Sequence, residues 1–402
     1  AADVYSLGQI HALIDADRND DLEQKMTLDM GVHARTIPAF DNGTSGRKPS
    51  TARGTSEPYV SIPTKAGNAK LLRADARKVP LPDACVDLIV TSPPYWRKRD
   101  YGYSEQIGLE RTPQEFVANL SDALAEWRRV LKPTGSLFLN IGDTYHNKSL
   151  AGIPGRLEAA ACQVGWKLRN RIVWAKEFGM PEPSKTRLAN RHEYVLHLTP
   201  TSRYYYDIVG YSEKYGNGAN PGDVWNVNVR RDMSNHLAPF PEELVERAIT
   251  LACPSEVCPV CGHLRSRIFQ RTADLDQSRP QGRRAMELAR EKGLTAAHIA
   301  AIQATGISDA GKALRVQTGT GKNTADVKRL AAEAKIALGG YFREFTFAKK
   351  RTVGWTSCEC GAEFRPAVVL DPFCGTGTTL RVACAMGKVS IGVDLAPESH
   401  GR

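Results

Sequence analysis

Asp371-Pro-Phe-Cys-Gly375-Thr-Gly377-Thr-Thr, directly after the apolar run Ala367 to Leu370, is the stretch that decides how this chain is read. The run has the length of a strand, and Thr378 to Met386, closed by Gly387, has the pattern of a helix. Glycines at a strand-to-helix turn let the backbone approach a ligand where a Cβ would collide. A second strand, Val389 to Val393, ends at Asp394, about 20 residues on, the distance at which a carboxylate binds ribose hydroxyls in dinucleotide folds. The spacing points to a nucleoside without saying which. No Gly-Lys-Ser/Thr follows the glycines, which disfavours a P-loop nucleotidase.

Upstream, from Lys70 to Leu251, strands and helices alternate. Val86 to Thr91 is a short apolar run with a sharp Pro93-Pro94 stop, and Pro113 to Leu131 carries Phe116, Leu120, Leu124, Trp127 and Leu131 at helical spacing. Lys132-Pro-Thr-Gly135 is expected to end that helix. Ser136 to Asn140, Arg171 to Trp174 and Glu193 to Leu198 read as further strands, and Pro241 to Leu251 as a helix. Such alternation implies an α/β fold with a mainly parallel sheet covered on both faces. The first 66 residues hold one short helical pattern, Tyr5 to Asp15, and a Gly/Ser/Thr/Pro-rich stretch, Asp41 to Thr64. The expected organisation is an arm or linker over 1–66, a first α/β part over 67–252, an insertion over 253–366, and the glycine-turn part over 367–402.

With 402 residues, 42% hydrophobic and 24% charged, the chain is neither wholly disordered nor fibrous. No apolar run approaches the roughly 18 residues of a membrane span, and the N-terminus lacks a charged-then-apolar signal pattern. A soluble, cytoplasmic protein with no membrane partner is expected. The net charge of +10 is uneven: residues 253–366 hold 19 Lys and Arg against 11 Asp and Glu, which makes the insertion the first place to look for phosphate contacts.

Thr91-Ser92-Pro93-Pro94-Tyr95-Trp96 lies at the carboxyl end of a predicted strand, where open sheets place their active sites. Two prolines in succession cannot donate backbone hydrogen bonds, so carbonyls in this turn stay free to accept from a ligand. With a neighbouring hydroxyl and an aromatic face, the turn suits a planar amine.

Together, and in this order, the two motifs resemble the permuted beta class of S-adenosylmethionine-dependent DNA amino-methyltransferases, which act on cytosine N4 or adenine N6. The resemblance spans about Leu71 to Leu251 and Ala367 to Leu395, and takes in Arg99-Asp-Tyr-Gly102, Leu139-Asn-Ile-Gly-Asp143, Trp174-Ala-Lys176, His192-Glu-Tyr194 and His236-Leu-Ala-Pro-Phe-Pro241. It implies a class I methyltransferase fold, Rossmann-like, with a mostly parallel sheet of seven strands. It implies a cofactor site in which Phe373, Gly375, Gly377 and Thr378 line S-adenosylmethionine, Asp371 faces its methionine end and Asp394 its ribose. Asp75 matches the acidic residue near the adenine, and His236 and Phe240 the segment that closes over the methionine moiety. Ser92, Pro93, Pro94 and Tyr95 are the implied catalytic pocket for a base flipped out of double-stranded DNA. A modification or defence setting, with a cognate restriction nuclease as partner, goes with the family.

Within that family Ser-Pro-Pro-Tyr leans towards cytosine and Asp-Pro-Pro-Tyr towards adenine, so N4-methylcytosine is the favoured product and N6-methyladenine the alternative. RNA or a protein amide as substrate, for which Asn-Pro-Pro-Tyr is more familiar, is more distant, as is a zinc-bearing DNA-binding protein that no longer catalyses. Carbon-5 methylation needs a cysteine in a Pro-Cys context, and Cys253-Pro254 and Cys258-Pro259 have the reverse order. Relatives usually continue beyond the position of Asp394 into a helix beside the cofactor, which implies either a trimmed chain or a pocket completed differently.

Four of the nine cysteines form two close pairs, Cys258-Pro-Val-Cys261-Gly and Cys358-Glu-Cys360-Gly, each followed by a glycine that permits a tight knuckle. Four thiolates suit a closed tetrahedral zinc site, with Cys253 or His263 able to replace one ligand. Between the pairs, Arg283 to Lys292, Thr295 to Gln303 and Thr324 to Leu338 are helical in pattern, Thr324 being a cap and Gly339 a stop. Leu294 to Leu314 faintly resembles a helix-turn-helix. A zinc-containing, mainly helical insertion that reads the DNA target, with Arg283 and Arg284 as phosphate contacts, is the expectation; a stabilising appendage is the alternative. Tyr204-Tyr-Tyr206 is expected to pack in the core or at an edge.

Overall fold

The computed structural model describes residues 59–64, 67–178, 184–228, 241–306, 323–346 and 348–395. Nine strands form one sheet: β1 (Tyr59–Thr64), β2 (Gly67–Arg73), β3 (Val86–Thr91), β4 (Leu131–Ile141), β5 (Lys167–Ala175), β6 (His192–Thr199), β7 (Val224–Asn226), β8 (Val368–Asp371) and β9 (Val389–Asp394). Their spatial order is β1-β2-β9-β8-β3-β4-β6-β5-β7. The central run from β2 to β4 is parallel throughout, and β6 runs antiparallel to both of its neighbours. This is the mostly parallel α/β architecture expected, with β8 and β9, which follow the insertion, in the middle of the sheet.

Two strands exceed the expected seven. β1 pairs with β2 as an antiparallel hairpin and lies inside the stretch read as an arm; Pro63 is tolerated because an edge strand need not donate outward. β7, three residues long beside β5, is too short to leave a periodic signal. The short helical pattern expected at Tyr5 to Asp15 lies outside the described residues, as do His236 and Phe240.

Helix α1 (Pro113–Val130) forms where its pattern predicts. Thr112 accepts from the Glu115 N–H, Pro113 opens the first turn, and Phe116, Leu120, Leu124 and Trp127 are buried on one face. The segment expected to be a loop after it, Lys132 to Gly135, instead bulges within β4: pairing with β3 jumps from Val86↔Leu131 to Leu88↔Ser136. A Cβ on Gly135 would lie 2.8 Å from the Asp87 carbonyl oxygen, so the bulge needs glycine.

Both faces of the sheet are covered. α1 and α2 (Ile153–Gln163) pack on Ile89, Leu137 and Leu139. α3 (Ile208–Tyr215) and α4 (Glu242–Ala252) pack on Leu88, Val90 and Phe138. Consecutive residues of β3 therefore face opposite cores, which is why Val86 to Thr91 reads as an unbroken apolar run. No described helix is long and apolar enough to cross a membrane.

Between α4 and β8, Glu256–Val257 pairs with Arg365–Pro366, and a longer ribbon joins Arg267–Arg271 to Lys350–Trp355. Helices α5 (Pro280–Glu291), α6 (Ala296–Thr305), α7 (Ala325–Leu338) and α8 (Phe342–Thr346) share a separate small core around Ala285, Ile302, Leu338 and Phe345. Thr324 caps α7 by accepting from the Val327 N–H, and Gly339 ends it. The stretch resembling a helix-turn-helix runs past Gly306 into residues outside those described. Tyr205 is buried and Tyr204 and Tyr206 pack on the His197 ring, the packing role expected of the triplet.

Candidate functional site

The tips of β3 and β8 are tied side by side. Thr91 Oγ1 donates to Asp371 Oδ1 over 2.7 Å, and the Phe373 N–H donates to the same oxygen over 3.1 Å. Burial pushes the Asp371 carboxyl up to about 6, against the opposing hydrogen bonds from Thr379, Thr91 and the Phe373 backbone. At 1% exposure, this carboxylate is engaged in locking the turn.

After it the chain passes through Gly375 (φ +46) and Gly377 (φ +76), left-handed conformations that L side chains rarely adopt. Apart from its chain neighbours, no atom of the described residues lies within 4 Å of where a Gly377 Cβ would be, so the space there is open among them. The Gly375 N–H donates to Asp394 Oδ2 over 3.1 Å, which brings the ribose candidate against the glycine turn. Helix α9 (Thr378–Ala385) starts here, with Thr378 buried at its first position. Phe373 is half-buried, its ring edge-on to Trp127 at 5.8 Å. Asp75 follows β2, whose extension reaches Asp394 through the Ala74 N–H. Burial alone would raise the Asp75 carboxyl, but the Arg77 guanidinium and backbone N–H bring it below its usual value.

One residue beyond Thr91, the Ser92-Pro93-Pro94-Tyr95 turn meets three polar side chains that the sequence reading left without a role. Asn140 Nδ2 lies 3.3 Å from Ser92 Oγ, 2.8 Å from the Tyr95 hydroxyl and 3.1 Å from Glu193 Oε2. The Tyr95 hydroxyl donates to Glu193 Oε2, and Lys176 Nζ donates to Glu193 Oε1. The carboxylate of Glu193 therefore sets which way the Asn140 amide points, because a flipped amide would turn its oxygen onto that anion. Burial and the Glu193 charge hold the Tyr95 phenol well above its ordinary value, so it stays neutral. Asn140 Oδ1 is buried with no hydrogen-bond partner among the described residues, an acceptor left beside the Ser92-Tyr95 turn. A Cβ at Gly142 would come within 2.8 Å of the Tyr95 ring, which restricts that position to glycine. The available signal was polarity at strand tips: Asn140, Lys176 and Glu193 all end apolar strands at one edge.

The four paired cysteines come together. The sulfur atoms of Cys258, Cys261, Cys358 and Cys360 all lie within 4.8 Å of one another. Cys253 and His263, the candidate substitutes, are outside the cluster: Cys253 is buried in the sheet core and His263 Nε2 pairs with Thr356 Oγ1 at 2.9 Å. The cluster sits beside the Glu256–Val257 and Arg365–Pro366 pair, at the amino end of β8, while Asp371 closes its carboxyl end. Arg283 donates to the carbonyls of Gln277 and Ser278, and Arg284 pairs with Glu287 and Glu291, so both have local partners.

The mostly parallel α/β sheet brings the glycine turn and the Ser92-Pro93-Pro94-Tyr95 turn to the carboxyl ends of adjacent strands, where open sheets bind ligands. The chain belongs to the N6/N4 DNA methylase family, whose model spans residues 86–256 and 363–400 and skips most of the insertion. It is 37% identical over 236 residues to the type II methyltransferase M.Cfr9I of Citrobacter freundii, covering 50% of this chain and 79% of that one. It is 39% identical over 200 residues to the type II methyltransferase M.XycI of Xanthomonas campestris pv. cyanopsidis, covering 42% of this chain and 67% of that one. Among solved structures, a putative DNA modification methylase from Thermus thermophilus complexed with S-adenosyl-L-methionine is 20% identical, with a TM-score of 0.41, covering 82% of this chain and 88% of that one. The protein is a site-specific DNA methyltransferase of the N6/N4 type.

Proposed function

We propose that this chain methylates the N4 amino group of a cytosine turned out of duplex DNA, with S-adenosylmethionine as donor, in a cytoplasmic restriction-modification setting that includes a cognate nuclease. The observation that carries the reading is the Thr91–Asp371 hydrogen bond, because it sets Ser92 and Gly375 on adjoining strand tips. The open, left-handed glycine turn backed by Asp394 fits the cofactor's nucleoside, with Asp75, Phe373, Thr378 and the His236 and Phe240 segment completing its site. Bound there, S-adenosylmethionine supplies an electrophilic methyl group.

The chain's own work is on the amine. An exocyclic nitrogen shares its lone pair with the ring and is a poor nucleophile until that conjugation weakens. Ser92 Oγ and the Pro93 carbonyl accept its hydrogens and hold it towards a tetrahedral geometry. Ser92 Oγ already takes a hydrogen from Asn140, and its remaining lone pair serves the amine. Tyr95 stacks on the extruded base, with its hydroxyl pinned by Glu193 and Asn140. Pro94 fixes the turn. No covalent intermediate is needed.

Zinc at Cys258, Cys261, Cys358 and Cys360 is structural in this reading, since the thiols suit a closed site and stand at the far end of β8 from the chemistry. The basic insertion contributes target recognition, Arg283 and Arg284 exchanging their local partners for phosphates. The test is transfer of labelled methyl groups to DNA, followed by hydrolysis and mass spectrometry of the nucleosides. N4-methylcytosine is expected, N6-methyladenine moves the assignment to adenine, and DNA binding without any transfer leaves the non-catalytic zinc protein.

A further inference from the structure

The loop from β5 to β6 leaves the sheet at the end that carries the base pocket, and its feet belong to the pocket. Lys176 follows β5 directly and Glu193 is the second residue of β6, and the two pair with each other beneath the loop. Above them, residues 185–192 are all exposed, and this run contains Lys185, Arg187 and Arg191 without one carboxylate. Arg187 lies over the ring of Tyr145 at 3.7 Å, so the loop is braced against the segment that follows β4. Arg191 donates to the Glu177 carbonyl over 3.1 Å across the loop's base. Leu188 is 90% exposed, and Phe178, shortly after β5, is 68% exposed.

A lone exposed leucine is unremarkable on most surfaces. Here it stands among cations, on a loop footed in a pocket whose substrate starts inside a base stack. We propose that residues 184–192 form a duplex-DNA contact in which Leu188 enters the stack beside the extruded nucleotide while Arg187 and Arg191 meet the flanking phosphates. The proposal rests on the reading that this chain methylates a flipped base. Extrusion costs unpairing and unstacking, and an apolar side chain that fills the vacated space offsets part of that cost and excludes water from it. Leucine offers no hydrogen bond to a base edge, so its contribution is to extrusion and not to sequence choice. The Lys176–Glu193–Tyr95 hydrogen bonds then join the seat of the loop to the ring that receives the base.

The test uses the full chain and a duplex bearing its own methylation site, located beforehand by sequencing DNA that the wild-type protein has modified. Leu188→Ala is expected to lower kcat/KM by about tenfold or more on the paired duplex, and by less than about threefold when the target lies opposite an abasic site, where the pairing cost is already gone. Arg187→Gln is expected to reduce the salt slope of binding by about one. A Leu188→Ala variant that loses nothing on paired DNA, or loses equally on both duplexes, overturns the proposal while wild-type activity leaves the methyltransferase reading standing. Failure of the wild-type protein to methylate any DNA overturns both.

Discussion

Tyr95 and Glu193 are 98 residues apart in the chain and joined hydroxyl to carboxylate in the fold, with Lys176 holding the carboxylate from its other side. The Tyr95 ring is thus set by two neighbouring strands as well as by its own turn. Tyr95→Phe keeps the ring and discards the hydroxyl. It is expected to lower kcat by about tenfold with little change in KM, since loss of a hydrogen bond to a charged group is worth roughly 1.5–3 kcal/mol. Tyr95→Ala also loses base stacking, worth about 1–3 kcal/mol, and should raise KM for DNA. Steady-state methyl transfer separates the two, and equal effects on KM from both variants would deny the hydroxyl a positioning role.

Burial pushes the carboxyl of Asp371 up to about 6 in the folded protein, from its ordinary 3.8. The unfolded chain therefore gives up this proton first, and the group's contribution to stability, full below about pH 4, is lost as pH rises through 6, by an amount on the order of 2–3 kcal/mol. Asp371→Asn keeps an acceptor for Thr91 and Phe373 and cannot ionise. Denaturant unfolding from pH 4 to 7 is expected to show wild-type stability falling relative to the variant; parallel curves would contradict the assignment.

Gly377 has open space, among the described residues, where a Cβ would be, and a φ of +76. Gly377→Ala should cost the fold only about 1 kcal/mol of backbone strain yet reduce S-adenosylmethionine affinity by about tenfold or more, because the methyl group enters the ligand's space. Thermal melting measures the first effect and calorimetry the second. Unchanged affinity would remove this turn from the cofactor site.

One zinc per chain is expected by elemental analysis, and Cys261→Ser together with Cys358→Ser should abolish it. Chelation should open residues 253–366 to protease while cofactor binding at the far strand ends persists. Binding of S-adenosylmethionine that vanished with the metal would mean the cluster is not confined to a structural role.

Arg283→Ala with Arg284→Ala should weaken DNA binding about equally across sequences and reduce the salt slope by about 0.9 for each phosphate that the pair neutralises. Filter binding at several salt concentrations is sufficient, and an unchanged slope would confine both arginines to the helix and turn that already hold them.

How far the sequence could be read follows from how local each signal is. The turns at Ser92 and Gly375, the helix carrying Phe116 to Trp127, and the cap at Thr324 are encoded within a few consecutive residues, and all stand where the pattern puts them. β1 escaped because its six residues lie in a stretch dominated by turn formers, and β7 because three residues have no period. The bulge from Lys132 to Gly135 escaped because Pro and Gly signal a break without saying whether the strand resumes on the same partner. Asn140, Lys176 and Glu193 could be seen as polar ends of apolar strands, but their meeting depends on the order β4-β6-β5, which no local pattern contains. That Arg283 and Arg284 have carbonyl and glutamate partners in their own helix and turn could not be read from a charge count.

Strands β8 and β9, synthesised after the insertion, fill the centre of the sheet between β2 and β3. While the insertion is being synthesised, β2 and β3 each have one edge that β9 and β8 do not yet cover. During synthesis the middle of the sheet is therefore added after both flanks exist, a long-range pairing of the kind that slows folding and leaves strand edges open to aggregation. In the proposed reading this ordering has a use for the host: a chain interrupted before Asp394 lacks the carboxylate that backs the glycine turn and is expected not to mark DNA.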